Sequence, residues 1–109
     1  MKIELPHERI SEFCRRWKVS EMALFGSVLR DDFGPESDVD VLVSFRPEAK
    51  PSLFDHVDMQ DELADMFGRP VDLLTRRGVE QSTNPYRRNA ILDSARVIHV
   101  EAPQEEGAR

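Results

Sequence analysis

The residues of this chain best suited to chemistry are three acids: Asp38 and Asp40 in Asp38-Val39-Asp40, and Asp72 inside the apolar run Val71-Asp72-Leu73-Leu74. Val39, Val41, Val43 and Phe45 recur with a period of two, so they share one face of a strand and leave Asp38 and Asp40 on the other. Their backbones are then roughly 6 to 7 Å apart, close enough for both carboxylates to converge on one hard cation. Without a cation, two like charges at that distance repel and destabilise the pair. Val71 to Leu74 reads as a further strand, whose single polar residue, Asp72, reaches the same site if the two strands are neighbours. Three carboxylates suit Mg²⁺, which takes oxygen ligands and completes its octahedron with water and substrate phosphates.

Upstream, Gly26-Ser27 is separated from Asp38 by the ten residues Val28 to Ser37 and follows the short apolar strand Met22-Ala23-Leu24-Phe25. A glycine at that turn lets the backbone approach a phosphate. The serine hydroxyl and the free N–H groups of a starting helix can donate to anionic oxygens.

These residues need a frame. Ile10, Phe13, Cys14 and Trp17 fall at helical spacing, which predicts an amphipathic helix over 7–18. After the first strand, Val28-Leu29-Arg30 reads as a short helix, and 31–36 as a loop where a nucleotide would enter. Ser52 is the expected N-cap of a helix ended by Gly68, with Leu53, Val57, Ala64 and Phe67 along its inner side. Residues 75–83 read as a polar connection. Asn84-Pro85 then starts a helix to about Ser94, with Ile91 and Ala95 facing inward, and 96–100 closes as a strand. The order predicts a mixed α/β (α+β) domain, a small sheet of about four strands flanked by helices.

At 109 residues the chain holds one core, so a single domain over 1–100 is expected, with 101–109 as an acidic disordered tail. Whatever it modifies must therefore bind at the domain's edge. A formal charge of −6 and a pI near 5.0 argue against direct nucleic-acid binding and favour a protein or small-molecule partner. A single cysteine, Cys14, excludes an internal disulfide. With no long apolar stretch and no signal-peptide core at 1–6, no membrane association is expected and the expected location is cytoplasmic.

Gly26-Ser27, Asp38-Val39-Asp40 and Asp72, with Ser37 beside the first aspartate, resemble the minimal nucleotidyltransferases of the polymerase-beta-like superfamily, and more narrowly their MntA-type antitoxin branch. The resemblance runs over about 24–100 and implies a palm-like nucleotidyltransferase fold. It implies that Asp38 and Asp40 hold Mg²⁺, and that Asp72 completes the metal site or accepts the proton of an attacking hydroxyl. Gly26, Ser27, Arg30 and Ser37 would bind the nucleotide, with ATP as substrate. It further implies a HEPN-family toxin, a helical RNase, as hetero-oligomeric partner, neutralised by AMP transfer to a hydroxyl, expected to be tyrosine. Many relatives carry Ala-Arg-Gly after the serine region; here the chain reads Val28-Leu29-Arg30-Asp31, so a carboxylate replaces a glycine near the phosphate path.

Two other functional readings stand beside this one: a non-catalytic module that neutralises a helical partner by binding alone, and transfer to a small hydroxylated molecule. His7, His56 and His99 lack mutual zinc spacing, and with Cys14 and Trp17 they read as structural. Tyr86, the only tyrosine, reads as packing. Arg76-Arg77 and Arg87-Arg88 read as solvated charge, with a basic rim toward the triphosphate or an acidic partner as the alternative.

Overall fold

A computed structural model of the chain describes residues 5–29 and 37–101. Its elements in order are α1 (His7–Trp17), β1 (Val19–Phe25), a 3₁₀ turn (Gly26–Leu29), β2 (Val39–Phe45), α2 (Leu53–Phe67), β3 (Val71–Thr75), α3 (Arg76–Glu80), α4 (Pro85–Ser94) and β4 (Arg96–Val100). The strands form one sheet in the order β3-β2-β1-β4, with β2 parallel to β3 and the other pairs antiparallel. This is the mixed α/β sheet with flanking helices that the sequence predicts.

The period of two in the strands divides the apolar residues between two faces. On one face Met22, Leu24, Val39, Val41, Val43, Val71 and Leu73 pack with Ile10, Phe13 and Cys14 of α1 and Met59, Leu63 and Met66 of α2. On the other, Ala23, Phe25 and Leu42 meet Val79 of α3 and Ile91 of α4. Asp40 and Asp72 alternate with Leu42 and Leu74 onto this second, more thinly covered face. Burial pushes the Cys14 thiol up to about 12, with Glu101 adding to it, so no reactive thiolate forms there at neutral pH.

Several boundaries differ from the sequence reading. Helix α1 stops at Trp17 because Lys18 turns left-handed at φ 60°, and β1 begins at Val19 rather than Met22. The 75–83 connection contains α3. Its N-cap Thr75 accepts from the Gly78 N–H at 3.1 Å, and its buried Val79 gives the short helix a place in the second core. Ser52 does cap α2, with a reciprocal bond from its own N–H to Asp55. The inner stripe of α2 is only partly the one expected: Ala64 and Phe67 pack against the first core, but the other two do not. Leu53 and Val57 are 77% and 49% exposed, and the helix turns Met59, Leu63 and Met66 inward instead. The reason is that Arg16 and Trp17 of α1 both bond Glu62, Trp17 Nε1 at 3.1 Å, while His56 and Gln60 bond the backbone of β3; together they fix the helix's rotation. Of the expected tail over 101–109, Glu101 is held in place, its N–H donating to the Ser20 carbonyl at 2.8 Å and its carboxylate accepting from Arg46; 102–109 lie outside the described residues. No described helix is long and apolar enough to cross a membrane.

Leu63→Ala should therefore cost about 2–5 kcal/mol, and Phe54→Ala, on the exposed side of the same helix, should stay within about 0.5 kcal/mol. Urea unfolding of the two variants measures both; equal losses would mean that the inward face of α2 has been misplaced.

Candidate active site

The parallel ladder between β2 and β3 pairs Val39 with Val71, Asp40 with Asp72 and Val41 with Leu73. Paired residues in a ladder point to the same face, and neighbouring strands lie about 4.8 Å apart, so Asp40 and Asp72 form one acidic edge. The register is held from outside as well as inside. Strand β3 is an edge, and α2 covers it: Gln60 Oε1 accepts the Leu73 N–H at 3.0 Å, and His56 Nε2 donates to the Leu73 carbonyl at 3.0 Å. His56 is thus structural, as the sequence reading had it.

The entry to β2 is tied to the entry to β3. The Val39 N–H donates to the Pro70 carbonyl at 2.9 Å, and Arg69 Nη1 donates to the Ser37 carbonyl at 3.2 Å. Sequence reasoning passed over Arg69; its only signal is its place between the helix-ending Gly68 and Pro70. Asp38 is exposed at this junction, one residue before the ladder begins, while Asp40 is half-buried and Asp72 exposed.

Gly26 comes directly to this acidic edge. Phe25 pairs with Asp40 across the antiparallel β1–β2 ladder, so the chain turns beside that carboxylate. Gly26 has φ +76°, and a Cβ on it would stand 2.2 Å from Asp40 Oδ2. Only glycine satisfies both demands. Ser27 lies in the 3₁₀ turn, but its side chain, like Arg30 and Asp31, falls outside the described residues.

The structure thus gathers Gly26, Asp40 and Asp72, with Asp38 and Ser37 at the same end of the sheet. Among the described residues no group of three or more His, Cys, Asp or Glu side chains converges as a metal-holding set. The ladder fixes two carboxylates opposite each other and leaves Asp38 before its first pair. Two carboxylates still fit Mg²⁺, which is commonly held by one or two of them with substrate phosphates and water supplying the rest.

Residues 8–98 match the family described as a nucleotidyltransferase domain. The chain belongs to that family. It is 34% identical over 76 residues to MJ1379 of Methanocaldococcus jannaschii, named provisionally as a protein adenylyltransferase, with 70% of this chain and 73% of that protein covered. It is 35% identical over 69 residues to the protein adenylyltransferase MntA of Thermococcus cleftensis, covering 63% of this chain and 68% of MntA. Among solved structures, a toxin-antitoxin with AMP-PNP superposes at a TM-score of 0.67 and 19% identity, over 95% of this chain and 80% of that one. A tri-AMPylated Shewanella oneidensis HEPN toxin in complex with its MNT antitoxin gives 0.58 at 18% identity, covering 93% and 74%. At these identities the two structures show the fold alone.

At the acidic edge, Gly26→Ala should be more costly than Gly68→Ala. Both positions are left-handed, at φ +76° and +72°, but nothing lies within 4 Å of a Cβ at Gly68. The backbone penalty of about 1–2 kcal/mol is common to both, and the clash with Asp40 adds to it only at Gly26. In an Asp40→Ala background the excess should vanish. A double-mutant cycle by urea unfolding checks this, and an excess that survives the Asp40 change would contradict the contact.

Proposed function

We propose that this chain is an antitoxin nucleotidyltransferase that transfers AMP from ATP to a hydroxyl, expected to be tyrosine, of a cognate HEPN-family toxin and so neutralises it. The observation that carries the reading is the in-register pair Asp40/Asp72 with Gly26 held against Asp40. It is supported by relatives named as protein adenylyltransferases, by a structural neighbour holding AMP-PNP, and by another whose HEPN toxin carries AMP.

In this reading Asp40 and Asp72, with Asp38 beside them, hold Mg²⁺, for which their hard oxygen donors are suited. When bound, the metal offsets negative charge on the phosphates and on the attacking and leaving oxygens. Gly26 lets the backbone of the turn close on the phosphate chain, and Ser27, Arg30 and Ser37 are assigned to the same chain of phosphates. The acceptor hydroxyl attacks the α-phosphorus, a new oxygen–phosphorus bond forms, and the bond to the pyrophosphate oxygen breaks. Asp72, exposed on the edge strand, takes the hydroxyl proton. No side chain of this protein becomes covalently modified in the step; Cys14 is buried on the far face of the sheet.

The test is the intact mass of the helical partner co-expressed with wild-type protein and with the Asp38→Asn/Asp40→Asn variant. The partner should gain the mass of one AMP or a multiple with wild type only, while the variant stays folded because the change removes like charge. A partner that is neutralised without gaining mass in either case would replace this reading with neutralisation by binding alone.

A further inference from the structure

Exposed apolar side chains that stand singly are ordinary, but Leu53, Phe54 and Val57 are exposed together on the first two turns of α2, Phe54 by 81%. At positions i, i+1 and i+4 they span an arc of about 100° of the helix, away from the inward Met59, Leu63 and Met66. Pro51, also exposed, leads from this patch into a cleft of about 420 Å³ walled by Phe45, Pro47, Arg76 and Arg77 among others. The cleft lies at the carboxyl ends of the parallel strands β2 and β3. There the chain leaves β2 for α2 on the first face and β3 for α3 on the second, so the end of the sheet stays open between them. Of the nearby cations, Arg46 is paired with Glu48 and Glu101, and Arg76 with Glu21. Lys50 and Arg77 are exposed and take part in no ion pair or hydrogen bond among the described residues; Glu80 is the one acid in the cleft's own lining. All of this is at the end of the sheet opposite the acids: five residues of β2 take the chain from Asp40 to Phe45, roughly 17 Å.

Grouped apolar side chains beside a cleft, rimmed by charge that the chain itself does not pair, have the pattern of a protein interface. An extended segment would need free backbone groups to pair with, but on the edge strand β3 the Leu73 N–H and carbonyl are taken by Gln60 and His56. The occupant therefore presents side chains, as an amphipathic helix does. A second copy of this chain is disfavoured, since each copy carries −6. We infer that Leu53, Phe54 and Val57, with the cleft beside them, dock an amphipathic helix of the partner, its apolar ridge against Phe54 and its carboxylates toward Lys50 and Arg77. The inference rests on the helical partner proposed above and adds where that partner is held, at a surface separate from the acids that act on it.

Calorimetric titration of the purified helical partner into wild type, Phe54→Ala, Arg77→Glu and Val97→Ala tests it. All three side chains are exposed, so each variant should melt as wild type does. Phe54→Ala should weaken binding about tenfold or more, the loss of an aromatic anchor at an interface. Arg77→Glu should weaken it to a similar degree, about tenfold, by setting like charge against the partner's carboxylates. Val97, also exposed, lies on β4 at the opposite edge of the sheet, and its change should stay within about twofold. In transfer assays Phe54→Ala should raise KM for the partner and leave kcat at saturating partner unchanged, because the patch is remote from the acids. Wild-type binding together with unchanged binding by Phe54→Ala and Arg77→Glu would overturn this inference alone. So would light scattering that finds the isolated chain dimeric and Phe54→Ala monomeric, which would assign the patch to a second copy. No binding of the partner by wild type would overturn the partner reading and this inference with it.

Discussion

The parallel pairing of β2 with β3 is the constraint on which the rest of the molecule depends. Because Asp40 stands opposite Asp72 in that ladder, two like charges are held on one face at strand spacing. A slip of one residue would turn Asp72 into the first core and Val71 or Leu73 out of it. Two sets of contacts resist such a slip. The apolar partners Val71 and Leu73 are buried under α1 and α2, and the side chains of Gln60 and His56 occupy the backbone groups of Leu73 on the open edge. Stability of the first face thereby fixes geometry on the second.

The two faces serve different ends. The first carries most of the apolar burial, including Phe13, Leu63 and Met59, and is closed by two long helices tied to each other through Arg16, Trp17 and Glu62. Arg16 holds the Glu62 carboxyl below the ordinary glutamate range, with Trp17 assisting. Among the described residues the second face is closed by Val79 and Ile91, with Leu92 and Ala95 partly buried beside them. Covering it fully would bury the acid pair, and taking charged carboxylates out of water is costly. A thin second layer is thus the physical counterpart of an accessible site, and it is also why cavities flank α4.

Much of this was legible in the sequence because it depends on short-range rules. The alternation from Val39 to Phe45 assigned Asp40 to a face, the lone acid in Val71-Asp72-Leu73-Leu74 identified its partner, and Ser52 and Asn84-Pro85 marked helix starts that the structure contains. What escaped depends on contacts distant in the chain. The rotation of α2 is set by Glu62 bonding α1 and by Gln60 bonding β3, so the pattern of Leu53 and Val57 alone misled. Helix α3 is short and polar, and only Val79 meeting Leu42 and Ile91 gives it a reason to form. The placement of Gly26 against Asp40 follows from the antiparallel pairing of Phe25, which spacing could imply but not demonstrate. Arg30 and the side chain of Ser27, assigned to the nucleotide from the family resemblance, lie outside the described residues.

The claim at the centre is that the Asp40/Asp72 pair exists to bind, and the most direct test is the shift in melting temperature that Mg–ATP produces. Wild type should be stabilised by saturating Mg–ATP, as any ligand that binds only the folded state must stabilise it. Asp72→Asn should melt no lower than wild type without ligand, because the change removes a like charge from an exposed position, and should show no stabilisation on adding Mg–ATP. A variant stabilised by Mg–ATP as fully as wild type would contradict the account.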